Sequence, residues 1–184
     1  MRLIMTRGEP VIKELPHYDV LLQESQQYPE LNPSACLTWM HLLKTGDELL
    51  ALNDQFLASQ GVRPGRFNLL MIAGHCDTPP SPAELADCTG VTRATVSGLL
   101  DGMERDGLVV REVDPTDRRH IQVQVTREGR ALLDRIRPAY CRWFSELVDS
   151  LTEAERQLLI ALLEKIQLQL AAVRSEDNHP SKAA

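Results

Sequence analysis

Apolar residues recur every three or four positions over most of this chain, and every second position in one short stretch near residue 115. That contrast predicts a mainly helical protein with one small β element. Pro16 to Tyr28, with Val20, Leu21 and Leu22 as its apolar residues, predicts a short helix. Asn32-Pro33 is a helix start, with Asn as N-cap and Pro at the first helical position. The row Cys36, Trp39, Leu43, Leu50 and Leu57 then predicts one face of a long helix that ends near Gln60, where Gly61 stops it. Pro64 opens another helix, with Phe67, Leu70 and Met71 turned inward and Gly74 following.

The next signals are sharper. Ser81-Pro82-Ala83-Glu84 is a capping box with proline at the first helical position, and Gly90 ends the short helix it starts. A further helix spans about Thr92 to Asp106 and stops at Gly107. The period then changes to two. Val109 and Val113 alternate with Val110 and Glu112, and Ile121, Val123 and Val125 alternate with polar neighbours. Between them lies the turn Asp114-Pro115-Thr116-Asp117, so the stretch predicts a hairpin. Thr126 caps a helix over about 127–149 that contains Pro138, and Thr152-Glu153-Ala154-Glu155 is a second capping box that opens a last apolar helix.

Composition narrows the class. The 184 residues carry a formal net charge of −6 and are 43% hydrophobic but only 4% aromatic, so aliphatic side chains must fill the core. No apolar run approaches the ~18 residues of a membrane span. The start Met1 to Gly8 lacks the apolar stretch of a signal peptide, so a cytoplasmic location is expected. The four cysteines show no CxxC spacing, which predicts reduced, buried thiols. No nucleophile elbow, phosphate loop or HExxH motif is present, so no enzyme, cofactor or metal site is expected.

The acidic total bears on nucleic-acid binding only through its distribution. Between Val91 and Arg130, seven arginines (93, 105, 111, 118, 119, 127, 130) balance seven acids (101, 104, 106, 112, 114, 117, 128). The segment is neutral, and the local field at a phosphate outweighs the total. Within it, Ala86 occupies the crossing position of a helix-turn-helix, Gly90 its turn, and Val91, Val96 and Leu99 its clamp. The outward residues are then Thr92, Arg93, Ala94, Thr95 and Ser97, small enough apart from the arginine to approach a major groove closely. At the hairpin tip, Arg118 or Arg119 suits a narrow minor groove, with Asp117 pairing one arginine and fixing the tip.

The run 81–86, then Gly90 to Ser97, then 98–108 and Asp114 to Arg119, resembles the MarR family of bacterial transcriptional regulators. Asp117, Arg119, Val125 and Thr126 match that family's wing signature, and the likeness extends over about residues 35–172. The resemblance implies a winged helix-turn-helix at 63–126. It also implies a two- or three-stranded wing and long N- and C-terminal dimerisation helices, at 32–62 and 127–173. Residues 1–31 are then a partly helical N-terminal extension, and 174–184 a disordered tail. It further implies a homodimer on a pseudo-palindromic operator in double-stranded DNA, acting as a repressor and released by a small ligand. Residues 92–97 would lie in the major groove and Arg118 or Arg119 in the minor groove.

Two further sets of residues have competing readings. Trp39, His41 and Phe67 are candidates for a pocket for a small aromatic effector, or plain core. Cys36, at a helix start, is the candidate for a redox-sensing variant of the same regulator, or an inert thiol.

Overall fold

A computed structural model describes residue 12 and residues 14–113 and 121–177. The chain divides into two compact units, Met1–Leu133 and Asp134–Ala184. The first contains helices α1 (Tyr18–Gln27), α2 (Pro33–Ser59), α3 (Pro64–His75), α4 (Pro82–Thr89) and α5 (Arg93–Arg105). It also contains strands β1 (Val109–Val113) and β2 (Ile121–Val125) and the first turns of α6 (Arg127–Leu147). The second holds the rest of α6 and α7 (Glu153–Asp177).

Local chemistry sets most of these boundaries. The Asn32 side chain accepts a hydrogen bond from the Ala35 amide (3.1 Å) at the start of α2. Ser81 and Glu84 form a complete capping box on α4: the Glu84 amide donates to Ser81 Oγ (3.2 Å), and the Ser81 amide donates to Glu84 Oε2 (2.7 Å). Thr152 and Glu155 repeat the pattern at α7. These bonds from the Thr152 side chain and backbone hold the Glu155 carboxyl below the usual carboxylate range. The cap therefore contributes above the unfolded-state value and is lost as pH falls through the folded one.

Helix α3 is the hub of the first unit. It packs against α2, α4, α5 and β2, and Phe67, Leu69, Leu70 and Ala73 are all buried. Leu69 and Ala73 widen the inward side expected from Phe67, Leu70 and Met71, because four packed neighbours demand a broader apolar face than one stripe. Into this core α4 sends Leu85 and Ala86, α5 sends Val96, Leu100 and Met103, and the wing sends Val109 and Val123.

The hairpin is two-stranded and antiparallel, with Val109 opposite Val125, Arg111 opposite Val123 and Val113 opposite Ile121. Only its base is buried: Val109 and Val123 are enclosed, whereas Val113 and Ile121 are exposed. Among the described residues no third strand pairs with β2; its outer edge takes one bond instead, from the Val123 amide to the Pro80 carbonyl (2.8 Å).

The structure corrects four expectations. The row along α2 is not a buried face in one chain: Met40 and Leu57 are buried, while Trp39 and Leu50 are exposed, Leu50 by 67%. The inward side of α2 is set by its contacts with α1 and α3, which a single-helix pattern does not contain. The cysteines are not buried: Cys36 is half-buried, and Cys76, Cys88 and Cys141 are exposed. Cys76 caps the end of α3, and Cys88 lies beyond the last buried residues of α4. Residues 174–177 are helical and not part of a disordered tail, because α7 continues to Asp177 with no glycine or proline between Glu153 and Asp177 to stop it; residues 178–184 lie outside the described residues. Finally, Val91 does not clamp the helix-turn-helix. It precedes the N-cap of α5 and is 41% exposed, while Leu100 and Met103 complete the stripe begun by Val96 and Leu99 is half-buried.

Thr126 joins the wing to α6. Its hydroxyl donates to the Gly107 carbonyl (2.6 Å) and accepts from the Gly129 amide (3.0 Å), while its amide donates to the Leu108 carbonyl (3.1 Å). The first turn of α6 is thereby drawn so close to the chain before β1 that a Cβ at Gly129 would overlap the Leu108 carbonyl oxygen and lie 2.8 Å from Val125 Cγ1. Gly129→Ala should therefore destabilise the chain by about 1–3 kcal/mol. A thermal melt should register this as a drop of about 2–4 °C for each kcal/mol, and an unchanged melting temperature would refute the close approach.

Candidate nucleic-acid interface

The helix-turn-helix is α4, the turn at Gly90, and α5. Gly90 has φ 67°, a left-handed conformation that a Cβ disfavours, and its amide closes α4 on the Ala86 carbonyl (2.9 Å). Ala86 is buried where α4 meets its neighbours, and its small side chain lets the helices approach.

Thr92 is the N-cap of α5. Its hydroxyl accepts from the Thr95 amide (3.2 Å) and lies 2.9 Å from the Thr95 hydroxyl. The structure places Thr92, Arg93, Ala94, Thr95 and Ser97 together, all exposed, on the first turns of α5. Two of them, Thr92 and Thr95, thus share a local bond that holds their orientation. Ala94, Ser97, Gly98 and Asp101 fall at i, i+3, i+4 and i+7 and share one solvent-facing side. A Cβ at Gly98 would meet nothing within 4 Å, so this side is smooth as well as open. The positive end of the helix macrodipole points out of the same turn, which favours anions there.

The hairpin stands beside this helix because Arg111 holds it there. The Arg111 amide donates to Glu104 Oε1 (3.1 Å) from the edge of β1 that faces away from β2. Its guanidinium pairs with the Asp101 carboxylate, donates from Nη2 to the Ser97 carbonyl (3.3 Å), and lies 3.9 Å from Glu104 Oε2 through Nε. On the other side, the bond from Val123 to Pro80 anchors β2. The solvent-facing side of α5 is acidic at its far end, where Arg111 pairs with the acids. A second pair, Arg66 with Asp106, ties α3 to the C-cap of α5.

Sequence reasoning missed Arg111, Asp101, Glu104 and Gly98. A strand arginine seven and ten residues beyond two acids has no periodic signature. Only the i, i+3 pairing of Asp101 with Glu104 on one helix edge hinted at a shared cation. Asp117, Arg118 and Arg119 lie outside the described residues.

The three pocket candidates occupy different environments. Phe67 is core, 1% exposed, whereas Trp39 is 46% exposed and His41 is exposed on α2. A cavity of about 100 Å³ lies instead among Ala73, Cys76, Asp77, Pro79, Val123, Gln124, Val125 and Arg130. Cys36 places its Sγ 3.9 Å from Met40 Sδ, with the thiol donating to the thioether. Among the described residues no group of three or more His, Cys, Asp or Glu is placed to hold a metal, and no helix is long and apolar enough to cross a membrane.

Comparison with known proteins agrees with this geometry. Residues 67–120 match the model of the MarR family. The HTH-type transcriptional repressor YetL of Bacillus subtilis strain 168 is 29% identical over 153 residues, spanning 83% of this chain and 92% of YetL. The MepR–DNA complex of S. aureus superposes with a TM-score of 0.62 at 25% identity, covering 68% of this chain and 91% of MepR. CouR from Rhodococcus jostii RHA1, bound to p-coumaroyl-CoA, gives a TM-score of 0.61 at 26% identity, covering 68% of this chain and 87% of CouR. With its α4–turn–α5 unit and Arg111-fastened wing, the chain carries a MarR-family segment at 67–120 and is similar to winged helix-turn-helix, DNA-binding transcription regulators of that family.

Proposed function

We propose that this chain represses transcription by binding a pseudo-palindromic operator as a homodimer, and that a small aromatic ligand releases it. The observation that carries the reading is the smooth, exposed side Ala94–Ser97–Gly98 of α5, with a hairpin fastened beside it. A side of that size admits close approach to base edges in the major groove. Thr92, Arg93 and Thr95 then flank the contact and reach phosphates, and Ala94 can meet a thymine methyl. Arg118 or Arg119 at the hairpin tip would enter the adjoining minor groove, with Asp117 bracing. The name of YetL, a repressor, supports the direction of control, and the MepR complex supports duplex DNA as the partner.

The homodimer is supported by α7. Leu158, Leu159, Ile160, Leu162, Leu168, Leu170 and Val173 are all exposed in the single chain. A helix apolar on several sides is a buried helix, and leaving this much apolar surface in water is unfavourable. A second copy meeting it about a two-fold axis would cover both helices and set two recognition helices on one operator. The coumaroyl thioester bound by CouR supports an aromatic acyl compound as the class of effector.

Two measurements test this reading. Arg118→Ala and Arg119→Ala should each weaken operator binding by about 1–3 kcal/mol and lower the salt slope by about one for each phosphate no longer neutralised, with the fold intact by circular dichroism. If neither variant shifts the binding curve, the wing assignment is wrong. Leu168→Glu should convert the dimer to a monomer in sedimentation velocity, because a carboxylate would be forced into an apolar interface; a persistent dimer would remove α7 from the interface.

A further inference from the structure

We infer that Arg111 is a positioning residue for sequence readout: through Asp101, Glu104 and the Ser97 carbonyl it sets where the wing stands relative to α5. The inference rests on the operator-binding reading and deepens it. Three observations carry it.

The first is reach. Arg111 lies in the middle of β1, yet its guanidinium touches the backbone of Ser97, fourteen residues earlier, on the turn that faces solvent beside Ala94 and Gly98. One side chain thus spans from the wing to the reading turn. The second is division of labour within one residue. The amide of Arg111 is held by Glu104 and its side chain by Asp101, so the strand is fixed both in height along α5 and in rotation about its own axis. A single tie would leave one of these free. The third is the state of Nε, which is buried and makes no hydrogen bond, the Glu104 carboxylate standing 3.9 Å away. Nη2, by contrast, meets both the Asp101 carboxylate and the Ser97 carbonyl, so those two partners set the orientation of the guanidinium.

The consequence for DNA is specific. At their far ends the strands lack burial, since Val113 and Ile121 are open to water. The place of the strands therefore depends on the base, which is held by Arg111 on one side and by the Pro80 carbonyl on the other. Removing the guanidinium should loosen the wing and leave α5 in place, because the α5 core of Val96, Leu100 and Met103 is separate from the tie. Lysine cannot substitute, since a single ammonium placed where Nη2 meets Asp101 and the Ser97 carbonyl would leave no second nitrogen at the Nε position beside Glu104.

The test uses the full-length chain and a duplex selected in vitro by the wild-type protein from random sequence. Arg111→Met and Asp101→Asn should each weaken binding about tenfold, as expected for a lost charge-assisted bond. They should flatten the base preference at the outer flanks, where the wing meets the minor groove, and keep the preference of the central major-groove positions. Arg111→Lys should not rescue. A variant that is merely less stable would lose active protein without changing the profile of preferences, so the profile separates positioning from folding. Hydrogen exchange of the β1 and β2 amides, without DNA, should rise in Arg111→Met and stay unchanged in α5. An unaltered flank preference in Arg111→Met, with wild type binding normally, overturns the positioning role alone. Failure of wild type to select any sequence overturns the operator reading and this inference with it.

Discussion

The placing of the hairpin against α5 depends on one crossing: the Arg111 guanidinium lying over α5 between the Asp101 carboxylate and the Ser97 carbonyl. A two-stranded hairpin is marginal in water by itself. Here it gains a fixed place because its base is buried through Val109 and Val123 and its outer edge is satisfied by Glu104. Partial burial of the guanidinium strengthens its attraction to both carboxylates relative to bulk water. The same pairing neutralises two carboxylates on the C-terminal half of α5.

Electrostatics and shape then act together. A chain of net charge −6 would repel DNA if its acids were spread evenly. They are not. Asp101 and Glu104 are engaged by Arg111, and Asp106 is engaged by Arg66, so the acids of α5 and its C-cap are committed to folding contacts. The opposite end of α5 is left with its macrodipole, a threonine cap and one arginine, on a surface without bulky side chains. Gly90 makes this possible at the backbone level, since its left-handed turn ends α4 and lets α5 start in a new direction.

Much of this was legible in the sequence, and the reason is locality. Ser81 with Glu84, Thr152 with Glu155, Asn32 with Pro33, and Gly90 all act within three or four residues, so a linear reading captures them. The change of period at Val109 also announced the hairpin, in the correct place. What was lost is long-range. Trp39 and Leu50 fall on an apolar stripe, yet the stripe does not say whether its cover comes from the same chain. Val91 looked like a clamp from its position after the turn, but helical phase starting at Thr92 assigns that work to Val96, Leu100 and Met103. Arg111 was one of seven arginines in a neutral count. Its role appears only when β1 is laid against α5.

The most direct test of the account is a crystal structure of the full chain bound to an operator duplex. It should place Ala94, Ser97 and Gly98 of each protomer against base edges in successive major grooves, with the hairpin tips in the flanking minor grooves and Arg111 still bridging to Asp101. A complex in which α5 lies away from the duplex, or in which Arg111 has left Asp101 to contact a phosphate, would contradict it.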